Sequence, residues 1–150
     1  MVVLVSGFIV AEVVLQELDS DPKSHSHLRL QVLAEVTGAW STTDPQVLEA
    51  LSAFHLWGPE FSDQRLGWRH RQPVKILELR AKSARSPLVI PSLAEYWGCF
   101  SWVNLPVDPA FTETAWHQAT PALTADSFAL SQQALREQVV NLRGLESWMA

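Results

Sequence analysis

The residues best equipped for chemistry lie between Arg65 and Arg85. This segment holds seven of the chain's eleven Lys and Arg (Arg65, Arg69, Arg71, Lys75, Arg80, Lys82, Arg85) and a single acid, Glu78. The whole chain is net −5, so the segment is +6 and the remainder, four basic against fifteen acidic residues, is −11. Trp68 lies within it, and Phe54, Trp57, Phe61, Tyr96, Trp97, Phe100 and Trp102 lie on either side. A focused positive stripe beside aromatic rings suits phosphate or another polyanion, because guanidinium groups grip phosphate oxygens and rings stack on bases. Arg65, Trp68, Arg69, His70, Arg71 and Lys75 are the candidate polyanion-binding residues. The same cations could instead pair with the acids outside the segment, or form the solvated face of a twisted sheet.

Other chemistry-bearing residues read more plainly as structure. His25-x-His27 has metal-ligand character, but its Ser-rich loop places no carboxylate or thiol beside it. His55 falls beside the apolar face of a short helix, where a hydrogen-bonded histidine at the core edge is expected rather than a general base. Cys99, the lone cysteine, starts an aromatic strand and reads as a small, inert buried residue. It excludes an intramolecular disulfide framework and a CxxC zinc site, and a reducing cytoplasm is the natural reading. Glu78-Leu79-Arg80 is like half of a restriction-nuclease Glu-x-Lys motif, but Arg activates water poorly and no metal-binding Asp on a strand pairs with it. A solvent-face Glu opposite Arg or Lys is the expectation. Gly-rich phosphate loops, HExxH and GxSxG do not occur. The residues therefore read as non-catalytic, with no cofactor and no metal.

The elements that must position these residues follow from periodicity. Met1–Val5 and Phe8–Leu18 read as two apolar strands around a Ser6-Gly7 turn, although the second run also tolerates a helix. The apolar start lacks a basic n-region and falls short of the roughly 20 residues of a membrane span. Asp19–His27 is a polar loop. Leu28, Leu30, Val32, Ala34 and Val36 alternate with more polar neighbours, the period of a half-buried strand. Asp44-Pro45 starts a helix expected to reach Trp57, with Val47, Leu48, Leu51 and Phe54 on its buried face. Pro73–Lys82 is a strand, Pro87–Pro91 a short edge segment, and Cys99–Leu105 another strand. Thr124 caps a helix to about Leu142, striped by Phe128, Leu135, Val139 and Leu142 and ended by Gly144.

Composition agrees with a folded chain: 47% apolar and 18% charged in 150 residues, one domain by length. Seven Trp, each able to bury ~150–250 Å², imply an aromatic-rich interior, with Trp57, Trp68 and Trp102 expected in one cluster. The expected architecture is one α+β domain over residues 1–150. It has a mixed or antiparallel sheet of about five strands, a short central helix and a C-terminal helix.

Three motifs carry a resemblance. Ala53-Phe54-His55-Leu56-Trp57, Arg65-Leu66-Gly67-Trp68-Arg69-His70-Arg71-Gln72-Pro73 and Glu95-Tyr96-Trp97-Gly98-Cys99-Phe100-Ser101-Trp102 resemble, in order and spacing, the domain of unknown function 1802 family, common in cyanobacteria. The resemblance covers roughly Leu28 to Asn141. Met1–Leu18 lacks the family's Gly-Gly-type turn and Pro-Thr-x-Glu-His stretch, which implies a shortened or diverged N-terminus. Trp97 stands where the family tends to have Gly. Some relatives occur beside Mrr-type restriction endonuclease domains, which implies by association a role near DNA. The pattern is also loosely similar to a Nudix-type sheet, but without the Nudix box.

The function expected is a weak, non-specific contact with nucleic acid or another polyanion by a cytoplasmic, non-catalytic protein that is not a membrane protein. A degenerate or partner-completed hydrolase of nucleotides or nucleic acid is the alternative from a different class, and a module that binds a protein partner is a third.

Overall fold

A computed structural model of the chain describes residues 2–5, 8–13, 26–55, 60, 73–96, 103–105 and 107–147. The fold is α+β. Strands β1 (Val2–Val5), β2 (Phe8–Val13), β3 (His27–Thr42), β4 (Val74–Pro91) and β5 (Thr120–Pro121) follow one another across one sheet, and β6 (Leu145–Ser147) pairs with β3. The ladders β1–β2, β2–β3, β3–β6 and β4–β5 are all antiparallel. Among the described residues three helices are delimited: α1 (Pro45–Ala50), α2 (Pro109–Gln118) and α3 (Ala125–Asn141). Two compact units are formed, one by Met1–Val36 with Leu79–Leu123, the other by Thr37–Glu78 with Thr124–Ala150.

In the first unit the N-terminal hairpin forms as its sequence dictates. Val5 faces Phe8 across the ladder, and Phe8–Val13, the described part of the second apolar run, is strand rather than helix. Leu28 and Leu30 are buried at alternate positions of β3, as expected. Leu33 and Ala34 are then buried in succession while Val32 and Val36 are half-buried. Both faces of the strand are covered there, and the simple alternation ends. Leu28, Leu30 and Leu33 pack with Ile90, Tyr96, Leu105, Trp116 and Ala119 in one core.

Two expectations are corrected here. The segments Pro73–Lys82 and Pro87–Pro91 are one 18-residue strand. Ala122 N–H donates to the Ala81 carbonyl on the β5 side. In a regular strand Pro87 and Pro91 share that direction, so their missing donors cost the ladder with β3 nothing. Helix α2 was not expected, although Asp108-Pro109 repeats the Asp44-Pro45 signature: Asp108 accepts from Ala110 N–H at 2.9 Å and Pro109 takes the first turn. Of the strand expected at Cys99–Leu105, residues 103–105 are described, and Asn104 forms an isolated bridge.

In the second unit Asp44 caps α1, accepting from Gln46 N–H at 2.9 Å. Val47, Leu48 and Leu51 are buried. The helix does not run to Trp57. It ends at Ala50 and tightens into a 3₁₀ turn, Ser52–Phe54. The tighter period carries Phe54 off the buried stripe and leaves it 41% exposed. Thr124 caps α3 by accepting from Ser127 N–H, and Leu142 is its C-cap. Gly144 then adopts φ +78°, a conformation that disfavours any side chain, and its carbonyl accepts from Thr42 Oγ1 at 2.8 Å. That reversal sets β6 against Trp40–Thr42.

Candidate functional site

Five of the six candidate residues, Arg65, Trp68, Arg69, His70 and Arg71, lie outside the described residues, as do Trp57, Trp102 and Cys99. Lys75 is described and exposed on β4. Further along the same strand Arg85 is exposed, while Arg80 and Lys82 are half-buried. Strand alternation separates them: in the second unit Lys75 has the opposite parity to Glu78, and in the first Arg85 has the opposite parity to Arg80 and Lys82. The described cations do not share one face of the strand.

Glu78 is the largest departure from expectation. It is not a solvent-face residue; it is 5% exposed and lies among donors from β3 and α3. Its Oε1 accepts from Thr37 Oγ1 at 2.7 Å, Gln132 Nε2 at 2.7 Å and Arg136 Nη2 at 2.9 Å. Oε2 accepts from Arg136 Nε at 3.2 Å. Arg136 Nη2 also donates to the Thr37 carbonyl at 3.1 Å, so one planar guanidinium ties α3 to β3 and β4 together. Burial pushes the Glu78 carboxyl up, but the hydrogen bonds from Arg136, Thr37 and Gln132 and the Arg136 charge outweigh it. The net result is a carboxyl held below its ordinary value. At neutral pH Glu78 is therefore a fixed, fully solvated-by-protein anion, suited to holding structure and unsuited to proton transfer.

The floor of this cluster is made by Gly38. A Cβ there would come within 2.6 Å of the Trp40 ring and 3.3 Å of the Glu78 Cβ. Glycine lets the indole lie flat against the strand beside the carboxylate, a ring covering a strand glycine.

Lys82 has a different task, wholly within the first unit. Its Nζ donates to the Trp116 carbonyl at 3.0 Å and stands 4.0 Å from the centroid of the Trp116 ring, a cation–π contact that anchors α2. His55 is a hydrogen-bonded histidine at the core edge: its Nε2–H donates to the Leu48 carbonyl at 3.1 Å, which fixes the tautomer. His27 is exposed and 3.0 Å from Ser26 Oγ. Among the described residues no three His, Cys, Asp or Glu side chains are grouped to hold a metal ion. No described helix is long and apolar enough to cross a membrane.

The family model described as Domain of unknown function (DUF1802) matches residues 10–134. The chain belongs to the DUF1802 family. The match begins upstream of Leu28, so part of the N-terminal apolar segment that the motifs leave out lies within the DUF1802 region, and it stops inside α3, short of Asn141. No curated protein and no solved structure matches the chain.

Glu78 was singled out in sequence, but its setting was not legible there. Its partners are 41, 54 and 58 residues away. The one available signal was an acid isolated among seven cations, on a strand, with Gln132 and Arg136 four apart on a capped helix.

Proposed function

We propose that this DUF1802 domain is a non-catalytic, cytoplasmic module that contacts nucleic acid or another polyanion through Arg65–Arg85. The observation that carries this reading is the withdrawal of Glu78. The only acid of the segment is buried and its charge is met by Arg136, a cation from outside the segment. The segment's own Lys and Arg charges are thus not offset by it. Arg85 supports the same reading, being exposed with no carboxylate within ion-pair distance among the described residues.

Affinity of this kind comes from release of counterions by neutralised phosphates, and it falls steeply with salt. The −11 carried by the rest of the chain opposes the same polymer, so binding is weak, in the non-specific range of about 10⁻⁴–10⁻⁶ M. Trp68 adds stacking on an unpaired base, about 1–3 kcal/mol. The test is fluorescence anisotropy of labelled oligonucleotides with Arg69→Ala/Arg71→Ala. Affinity should drop equally on unrelated sequences, and the salt slope should flatten by about two, one for each lost phosphate contact. Unchanged affinity and slope would remove these arginines from the contact.

A further inference from the structure

We infer that α3 is a releasable element, opening as a unit from the rest of its compact unit, with Glu78 and Arg136 as its latch. The inference is independent of the polyanion reading.

Helix α3 spans 17 residues and none of them is buried. Leu130 is 70% and Val140 83% exposed. Its inward stripe, Phe128, Gln132, Leu135, Val139 and Leu142, is only half-buried, and the second position of that stripe is polar. In the same unit, β3, α1 and its C-cap bury Ala39, Ser41, Thr42, Val47, Leu48 and Leu51. The apolar attachment of α3 is therefore thin beside that of the elements around it. The local free energy of opening scales with that difference.

What closes the helix is polar. Gln132 and Arg136 supply three of the four side-chain hydrogen bonds to the Glu78 carboxylate, and Thr37 supplies the fourth. Lifting α3 leaves Glu78 with Thr37 and incoming water. Arg136, already half exposed at 50%, finds solvent with little movement. Both charges can hydrate on opening, which makes release far less costly than stranding a buried charge. The helix is also able to persist briefly by itself, because Thr124 caps it and Asp126 sits in its first turn.

Native-state hydrogen exchange at low denaturant reads this directly. In the wild-type chain, amides 132–138 should exchange at least about tenfold faster than the β3 amides 38–42, with a shallower denaturant dependence. Arg136→Ala should raise α3 exchange by a further factor of about ten while leaving amides 38–42 nearly unchanged, and Arg136→Lys should fall between. Equal protection and equal denaturant dependence of α3 and β3 in the wild type would overturn the inference, whether or not the variants fold. So would a rise in Arg136→Ala spread evenly over α3 and β3.

Discussion

Replacing Glu78 by Gln keeps the size of the side chain and removes its charge. Oε1 can still accept from Thr37 and Gln132, but the new amide meets Arg136 Nε–H donor against donor, where Oε2 now accepts at 3.2 Å. A hydrogen bond to a charged group is worth about 1.5–3 kcal/mol, and the guanidinium makes two to this carboxylate. Arg136 is half exposed and recovers part of its hydration, so the net loss is about 2–3 kcal/mol rather than the full sum. For a chain of this size that corresponds to a fall of about 4–12 °C in melting temperature. The effect has a pH signature. The folded carboxyl is held below its ordinary value of 4.5, so its contribution is present above that value and lost as pH falls through the folded one. Thermal and urea denaturation of wild type and Glu78→Gln should differ at pH 7 and converge on acidification. A double-mutant cycle with Arg136→Ala should give a coupling of about 1–3 kcal/mol. Equal midpoints at pH 7, or a difference that does not shrink in acid, would refute the assignment of Glu78 as a fixed buried anion.

Four further outcomes follow from three residues. Tyr96 is the chain's only tyrosine, and burial, with the neighbouring Glu95 charge, pushes its phenol above 10; phenolate absorbance should therefore rise at higher pH in the folded than in the urea-unfolded protein, with stability lost as pH climbs through the folded value. Its hydroxyl has no hydrogen-bond partner among the described residues, so Tyr96→Phe should leave the denaturation midpoint unchanged or raised, and a loss above about 1 kcal/mol would reveal a bonded hydroxyl. Gly38→Ala, which ordinarily relieves a strand, should here cost about 1–3 kcal/mol by displacing the Trp40 ring, and an increase in stability would contradict that packing. Lys82→Ala should cost about 1–2 kcal/mol through its two contacts with Trp116, and an unchanged urea midpoint would show them to be incidental.

Local chemistry was readable wherever it is local in sequence. Asp44-Pro45 and Thr124 mark helix starts because capping is decided within a few residues, whereas Gly144, expected to end α3, instead makes the turn into β6 after the Leu142 C-cap. The pairing of Val5 with Phe8 and the Leu28–Leu30 alternation are equally short-range. Helix α2 carried the same Asp-Pro signal and was legible in principle. Its apolar residues, Trp116 and Ala115 against Lys82 and the first unit's core, follow no strong 3.6-residue stripe. The continuity of β4 was hidden by Pro87 and Pro91, since the harm a proline does depends on which side its missing N–H faces. Glu78 was hidden for a stronger reason: Arg80 and Lys82, at the same parity along the strand, make its face read as solvated, and only the packing of α3 covers it. Of the candidate polyanion residues, Lys75 alone falls among those described, where it is exposed on β4.

The most direct test of the central claim is the salt dependence of binding by the unmodified protein. Short single- and double-stranded oligonucleotides of unrelated sequence should be retained at low ionic strength. Affinity should then fall log-linearly as salt rises from about 50 to 200 mM, with nearly the same slope for each sequence. Absence of retention of DNA and RNA alike at the lowest salt would contradict the claim and leave the segment's arginines with a structural role.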